Sequence, residues 1–209
     1  MENCNLNLAS LVGSRICHDL ASPLGAITNG LELMSMTETA LSPEMQLLQE
    51  SIENANARLR FLRIAFGKPS DSEFINADAI SSILNDLGRS SKTDIVWDVS
   101  GSQPRSTVQA AFLAIQCIET ALPYGGKIKL ACSGDTMAVL GTGESLNQNE
   151  DCWQSLETDQ ADNKLAPSRL QFALLRGVLR DQGKQVRVNV TDTSISIAFD
   201  CLAENSSGT

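Results

Sequence analysis

The 209-residue chain has a single histidine, His18. Any imidazole chemistry is confined to that position, and a zinc site built on several histidines is excluded. The six cysteines (Cys4, Cys17, Cys117, Cys132, Cys152, Cys201) form no Cys-x-x-Cys pair. They read as free thiols of a reducing compartment rather than as metal ligands. Positive charge is scarce as well: 16 Lys plus Arg stand against 25 Asp plus Glu, for a formal net charge of −9. Such a surface repels polyanions, so nucleic acid and anionic membrane are poor partners. No apolar run approaches the ~18 residues of a membrane span, and no basic start leads into an apolar signal core. The expected location is the cytoplasm. Internal repeats and low-complexity segments are also lacking.

The chain does have an ordinary 42% of apolar residues, enough for a real core. They fall into two textures. Over residues 1–70, Leu20, Leu24, Ile27, Leu31 and Met34 recur at steps of three and four, and Ile16 and Val12 extend the stripe backward. This predicts a helix with one buried seam. Ser42-Pro43-Glu44 then supplies an N-cap, a proline at the first helical position and an early acid, so a second helix starts at Pro43. Its seam of Met45, Leu48, Ile52, Ala55, Leu59, Leu62 and Phe66 keeps a heptad rhythm until Gly67-Lys68-Pro69 stops it.

Two such helices make an antiparallel hairpin that cannot bury both seams alone. Each large aliphatic side chain gains about 1.5 to 3 kcal/mol on burial. The expectation is therefore a homodimer whose hairpins form a four-helix bundle. The competing reading packs the hairpin against the rest of its own chain.

Residues 71–209 alternate strand-like and helix-like pieces and read as a second domain. Strands are expected over 73–75, 95–99, 127–132, 137–140, 186–190 and 195–199, and helices over 77–87, 107–122 and 167–180. The polar, acidic stretch 141–162 reads as a long loop or lid with a short helix near 151–156, and 204–209 as a frayed tail. The fold class is α+β: a helical hairpin followed by an α/β sandwich.

On a helix, Arg15, His18, Asp19 and Ser22 share one face, away from the apolar seam. Ala21, Ser22, Gly25 and Ala26 are small and leave the ring accessible to another protein. A histidine with the usual pKa of about 6.5 offers a neutral, nucleophilic nitrogen near physiological pH. Pro23 removes one helical hydrogen bond and is expected to bend the helix about one turn beyond the histidine.

His18-Asp19-Leu20-x-x-Pro23-Leu24 on the first helix of a hairpin resembles the phosphoacceptor box of sensor histidine kinases. The element order of residues 71–209 resembles the kinase ATP-binding domain. The resemblance implies that His18 accepts a phosphoryl group and that Asp19 orients the ring or takes its proton. It also places Arg15, Ser22 and Gly25 where they would touch the phosphoryl oxygens or a partner. The nucleotide boxes do not follow. Gln116 and Thr120 stand where two asparagines belong, and Gly141-Thr142-Gly143-Glu144-Ser145 puts glycine at the place of the adenine-reading aspartate. Ser168-Arg169-Leu170-Gln171-Phe172 has no glycine where a glycine-rich box belongs. Bulky side chains there keep backbone amides away from phosphates.

A kinase-like hairpin beside a degenerate, Bergerat-type ATPase-like domain resembles the histidine phosphotransferases of the ChpT type. That resemblance implies a phosphorelay without ATP binding. The receiver domain of a hybrid histidine kinase would donate the phosphoryl group, and receiver domains of response regulators would take it up. The chain would carry no cofactor of its own, and Mg²⁺ would sit on the partner receiver. Two alternatives are an atypical histidine kinase and a receiver-binding scaffold without chemistry. The second domain would grip the receiver or serve as a bundle-stabilising relic. Trp97 and Trp153 read as core or lid packing, and Arg58, Arg60, Arg63 and Lys68 as a solvated helix end.

Overall fold

The computed structural model describes residues 2–37, 42–68, 72–89, 91–147, 150–158 and 169–201. The hairpin is present, formed by α1 (Glu2–Thr37) and α2 (Pro43–Phe66). Ser42 caps α2 by accepting a hydrogen bond from the Met45 amide, with Pro43 at the first helical position as the sequence predicts. The helices are tied by Asn56 Nδ2 donating to Thr28 Oγ1 at 3.0 Å. They close tightly at Gly13, where a Cβ would meet Phe66 Cβ at 2.9 Å. The α1 helix runs on through Pro23, whose missing N–H deprives the Asp19 carbonyl of its helical donor.

The seams differ from expectation. Val12, Ile16, Leu20, Ile27 and Met34 are each 47–53% exposed. Cys17, Leu24, Thr28 and Leu31 are the better-covered positions of α1, and Thr28 reaches α2 directly. A stripe of steps of three and four is wide enough to serve two faces, and α2 covers only one of them. On α2, Leu48 is exposed, whereas Ala57, Phe61, Ile64 and Ala65 are buried. Phe61, Ile64 and Ala65 belong to the core shared with the second domain, so that domain takes a face of α2 outside the heptad seam, while Leu62 and Phe66 of the seam pack partly against the same core. Packing within the chain accounts for the end of α2, and the side of α1 that carries Val12, Ile16, Leu20, Ile27 and Met34 is left uncovered.

The second domain is a mixed sheet with its helices on one side. The sheet order is β2 (Thr93–Asp98), β4 (Gly126–Ser133), β5 (Thr136–Thr142), β7 (Ser194–Asp200) and β6 (Val186–Val190). The β2–β4 pair is parallel and the remaining pairs are antiparallel. Period-two alternation turns Ile128, Leu130, Met137, Val139, Ile195, Ile197 and Phe199 into the core. It turns Lys127 and Lys129 outward, onto Asp94 and Asp98.

The strand expected at 73–75 is β1 (Phe74–Ile75). It pairs with an unanticipated β3 (Gln103–Pro104) rather than with the main sheet. The helices are α3 (Ala77–Gly88), α4 (Arg105–Glu119), α5 (Glu150–Glu157) and α6 (Leu170–Asp181). The 141–162 stretch is not a lid where it is described: Cys152, Trp153 and Leu156 of α5 enter the core. Glu157 Oε1 accepts the Val188 amide of edge strand β6 at 2.7 Å. Residues 148–149, 159–162, 167–168 and 204–209 lie outside the described residues.

Three side chains of α4 join the domain to the hairpin. Phe112 stacks on Phe61 of α2, with centroids 4.5 Å apart and planes 7° from parallel. Arg105 Nη2 donates to the Arg63 carbonyl at 2.9 Å while Nη1 pairs with Glu73. Gln109 Nε2 donates to the carbonyls of Ala65 and Gly67. The Ala65 and Gly67 carbonyls at the C-terminal end of α2 are thus met by the other domain, and the Arg63 carbonyl, already bonded to the Gly67 amide, gains a second donor. Phe112→Ala is expected to cost about 3–5 kcal/mol, read as a lowered midpoint of urea unfolding.

Candidate phosphoacceptor site

The expected constellation is assembled on α1, on a stretch where successive polar residues face solvent. Arg15, His18, Asp19 and Ser22 are all exposed, and the His18 side chain is 83% exposed. His18 Nδ1 lies 3.2 Å from Asp19 Oδ1, and Arg15 Nε donates to Asp19 Oδ2 at 2.8 Å. One carboxylate therefore links the guanidinium and the ring. When Nδ1 carries the proton and donates it to Asp19, the lone pair of Nε2 is left facing solvent. Arg15 is engaged by Asp19 through its Nε. Ser22 lies one turn beyond His18 on the same face.

The hydrogen bond from His18, reinforced by that from Arg15, holds the Asp19 carboxyl below the ordinary aspartate range. A depressed carboxyl keeps its charge above its ordinary pKa and loses it only as pH falls through the lowered value. Asp19 is therefore anionic at neutral pH.

A groove of about 1080 Å³ opens beside this face. Cys17, Ala21 and Gly25, at successive turns of α1, form one wall, and α2 and α3 form the others. A Cβ at Gly25 would meet no atom within 4 Å. The chain's own packing does not demand that glycine, and its absent side chain leaves room for a visitor. Cys17 is buried, and burial pushes its thiol pKa up against the opposing pull of Arg63. It is accordingly a protonated, packed thiol rather than a nucleophile.

Sequence reasoning did not anticipate Asp86 and Arg89 of α3, which reach the groove from the second domain. Residues so distant in sequence leave no local signal. It did note Arg60 and Arg63, but as a solvated helix end, whereas both line the groove.

The positions of the nucleotide boxes are packed. A Cβ at Gly141 would land on Ile118, and one at Gly143 would crowd Leu122. Trp153 meets Phe172 edge to face, with centroids 5.1 Å apart, and both are buried. Gln116 Oε1 is buried without a hydrogen-bond partner, and burial raises the Glu119 carboxyl against the pull of Arg58. Among the described residues, no group of three or more His, Cys, Asp or Glu is placed to hold a metal. No helix of the described residues is long and apolar enough to cross a membrane.

Residues 77–194 match the family described as histidine phosphotransferase C-terminal domain. A 133-residue stretch is 35% identical to protein phosphotransferase ChpT of Brucella abortus (strain 2308), covering 62% of this chain and 62% of that protein. The chain thus spans less than two thirds of that relative's length. Its fold also matches the structure of a bacterial phosphotransferase with a TM-score of 0.67 at 24% identity, over 94% of this chain and 96% of the other.

Asp19→Asn removes the charge that favours a proton on Nδ1. The expected result is a shift of the His18 ¹⁵N signals away from the Nδ1–H tautomer, with little change in unfolding midpoint because the pair is exposed.

Proposed function

The chain belongs to the histidine phosphotransferase family, and from that premise we propose that it relays phosphoryl groups between receiver-domain aspartates with His18 as the carrier. The supporting observation is the sole imidazole of the chain, 83% exposed, held at Nδ1 by Asp19 and set beside a groove. The Nε2 lone pair attacks the phosphorus of an aspartyl phosphate in line. The bond to the aspartyl oxygen breaks, and the carboxylate leaves with the electron pair. The phosphorylated ring is cationic while Nδ1 keeps its proton, and anionic Asp19 stabilises that cation. Attack by a second receiver's aspartate on the same phosphorus reverses the step and restores neutral His18.

Phosphoryl transfer of this kind needs alignment and charge neutralisation more than covalent help. Mg²⁺ on the receiver supplies neutralisation, and Asp19 supplies ring alignment. Ser22 and Gly25 border the receiver, with Arg15 acting through Asp19.

ATP has no part in this reading. An aspartate at position 141 collides with Ile118, and the region of the other boxes is filled by Leu122, Trp153 and Phe172. The uncovered stripe of Val12, Ile16, Leu20, Ile27 and Met34 supports a homodimer joined as a four-helix bundle. The receiver of a hybrid histidine kinase and those of response regulators are the partners, in the cytoplasm.

Incubation with a phosphorylated receiver and no ATP is expected to leave an acid-labile label on His18, absent from His18→Gln. Labelling by ATP alone, or release of inorganic phosphate without phosphohistidine, would overturn the relay. Replacing Asp19 by Asn is expected to slow transfer by roughly 10²-fold, measured by rapid quench. Light scattering is expected to give twice the 22.4 kDa chain mass, falling to the monomer for Ile27→Glu.

A further inference from the structure

The groove beside His18 is electrically polarised. The hairpin is antiparallel, with Gly13 against Phe66 and Thr28 bonded to Asn56, so Arg60 and Arg63 fall near the level of His18. Cys17, next to the histidine, feels the charge of Arg63. Arg89, the C-cap of α3, joins them. Asp86 lies between two of the three, 2.7 Å from Arg60 Nη2 and 3.6 Å from Arg89 Nη2. Both arginines remain substantially exposed, at 47% and 74%. A guanidinium has five N–H donors, and Asp86 engages few of them. Glu50 and Glu53 line the opposite end. In a chain of net charge −9, positive potential thus gathers beside the phosphoacceptor.

We propose that Arg60, Arg63 and Arg89 form a docking surface for a carboxylate-rich face of the incoming receiver domain. The proposal rests on the relay reading above. A receiver that carries an aspartyl phosphate and holds Mg²⁺ must cluster carboxylates around that ion. Its reacting face is therefore acidic, complementary to the arginine end and repelled by the Glu50 end. Charge of this kind sets encounter rate and orientation. Asp86 holds Arg60 and Arg89 in place. Because Asp86 and Arg89 belong to the second domain, that domain supplies part of the dock, at a position fixed by the Arg105 and Gln109 contacts to α2.

The test uses the full-length protein with Arg60→Glu, Arg89→Glu and Arg63→Glu, the last leaving both Asp86 pairs intact. Transfer from a phosphorylated receiver is followed by rapid quench across receiver and salt concentrations, and His18 labelling by phosphoramidate serves as a receiver-free readout. Each charge reversal is expected to lower kcat/KM at low salt about tenfold, through KM, and to flatten the salt dependence. The rate at saturating receiver and the phosphoramidate labelling are expected to stay at wild-type values. Wild-type kcat/KM and salt slope in all three variants would overturn the dock while leaving the relay standing. So would equal loss of receiver-dependent and phosphoramidate labelling. A wild-type protein that phosphoramidate labels but no receiver binds or labels would instead overturn the relay, and the dock with it.

Discussion

The last turn of α2 is the point on which the molecule depends. A helix ends with carbonyls that have no intrahelical donor, and burying them unpaired is costly. Here the end of α2 is buried: Gln109 of the other domain donates to the Ala65 and Gly67 carbonyls, and Arg105 adds a second donor to the Arg63 carbonyl, already bonded to the Gly67 amide. Phe61 stacked on Phe112 adds apolar contact at the same junction. One joint therefore completes a helix, connects two domains and sets the angle at which α3 approaches the hairpin. The groove beside His18 takes its walls from both sides of that joint, since α1, α2 and the end of α3 all contribute to them.

Under the proposed relay the chemistry asked of this chain is small, and the site is correspondingly simple. A histidine that only carries a phosphoryl group needs an exposed nitrogen, a defined tautomer and space for a second protein. Two neighbouring residues of α1 provide the first two, and small side chains one and two turns onward provide the third. Everything else in the chain holds that helix and shapes the approach to it.

How much was legible in the sequence follows from the range of the interactions involved. The hairpin, the N-cap at Ser42, most strands and the face shared by Arg15, His18, Asp19 and Ser22 depend on neighbours within a turn or two. Periodicity and capping rules read such neighbours directly. The β1–β3 pair was hidden because it joins segments far apart in sequence, each two residues long. The burial of α5 was hidden because an acidic composition masked Cys152, Trp153 and Leu156, spaced to share one face. The seam read on α2 is covered at Met45 and half-covered at Ile52, Ala55, Leu59, Leu62 and Phe66, but it missed a second buried face for a third reason. The apolar residues of α2 serve two directions, and only the tertiary joint decides that Phe61 and Ile64, rather than Leu48, are covered. Asp86 and Arg89 reach the groove through that joint too, beyond any local rule.

The contact between Gly141 and Ile118 has a consequence for what the chain can tolerate. With the strand lying so close to α4 that no side-chain carbon fits between them, an aspartate cannot enter position 141 by a single substitution without displacing Ile118. Were Ile118 to shrink first, that change alone would open a void in a packed helix and destabilise the chain. Either first step is uphill, so the close packing ties the two positions together: neither changes cheaply alone, and substitution is confined to side chains that keep the strand and the helix in contact.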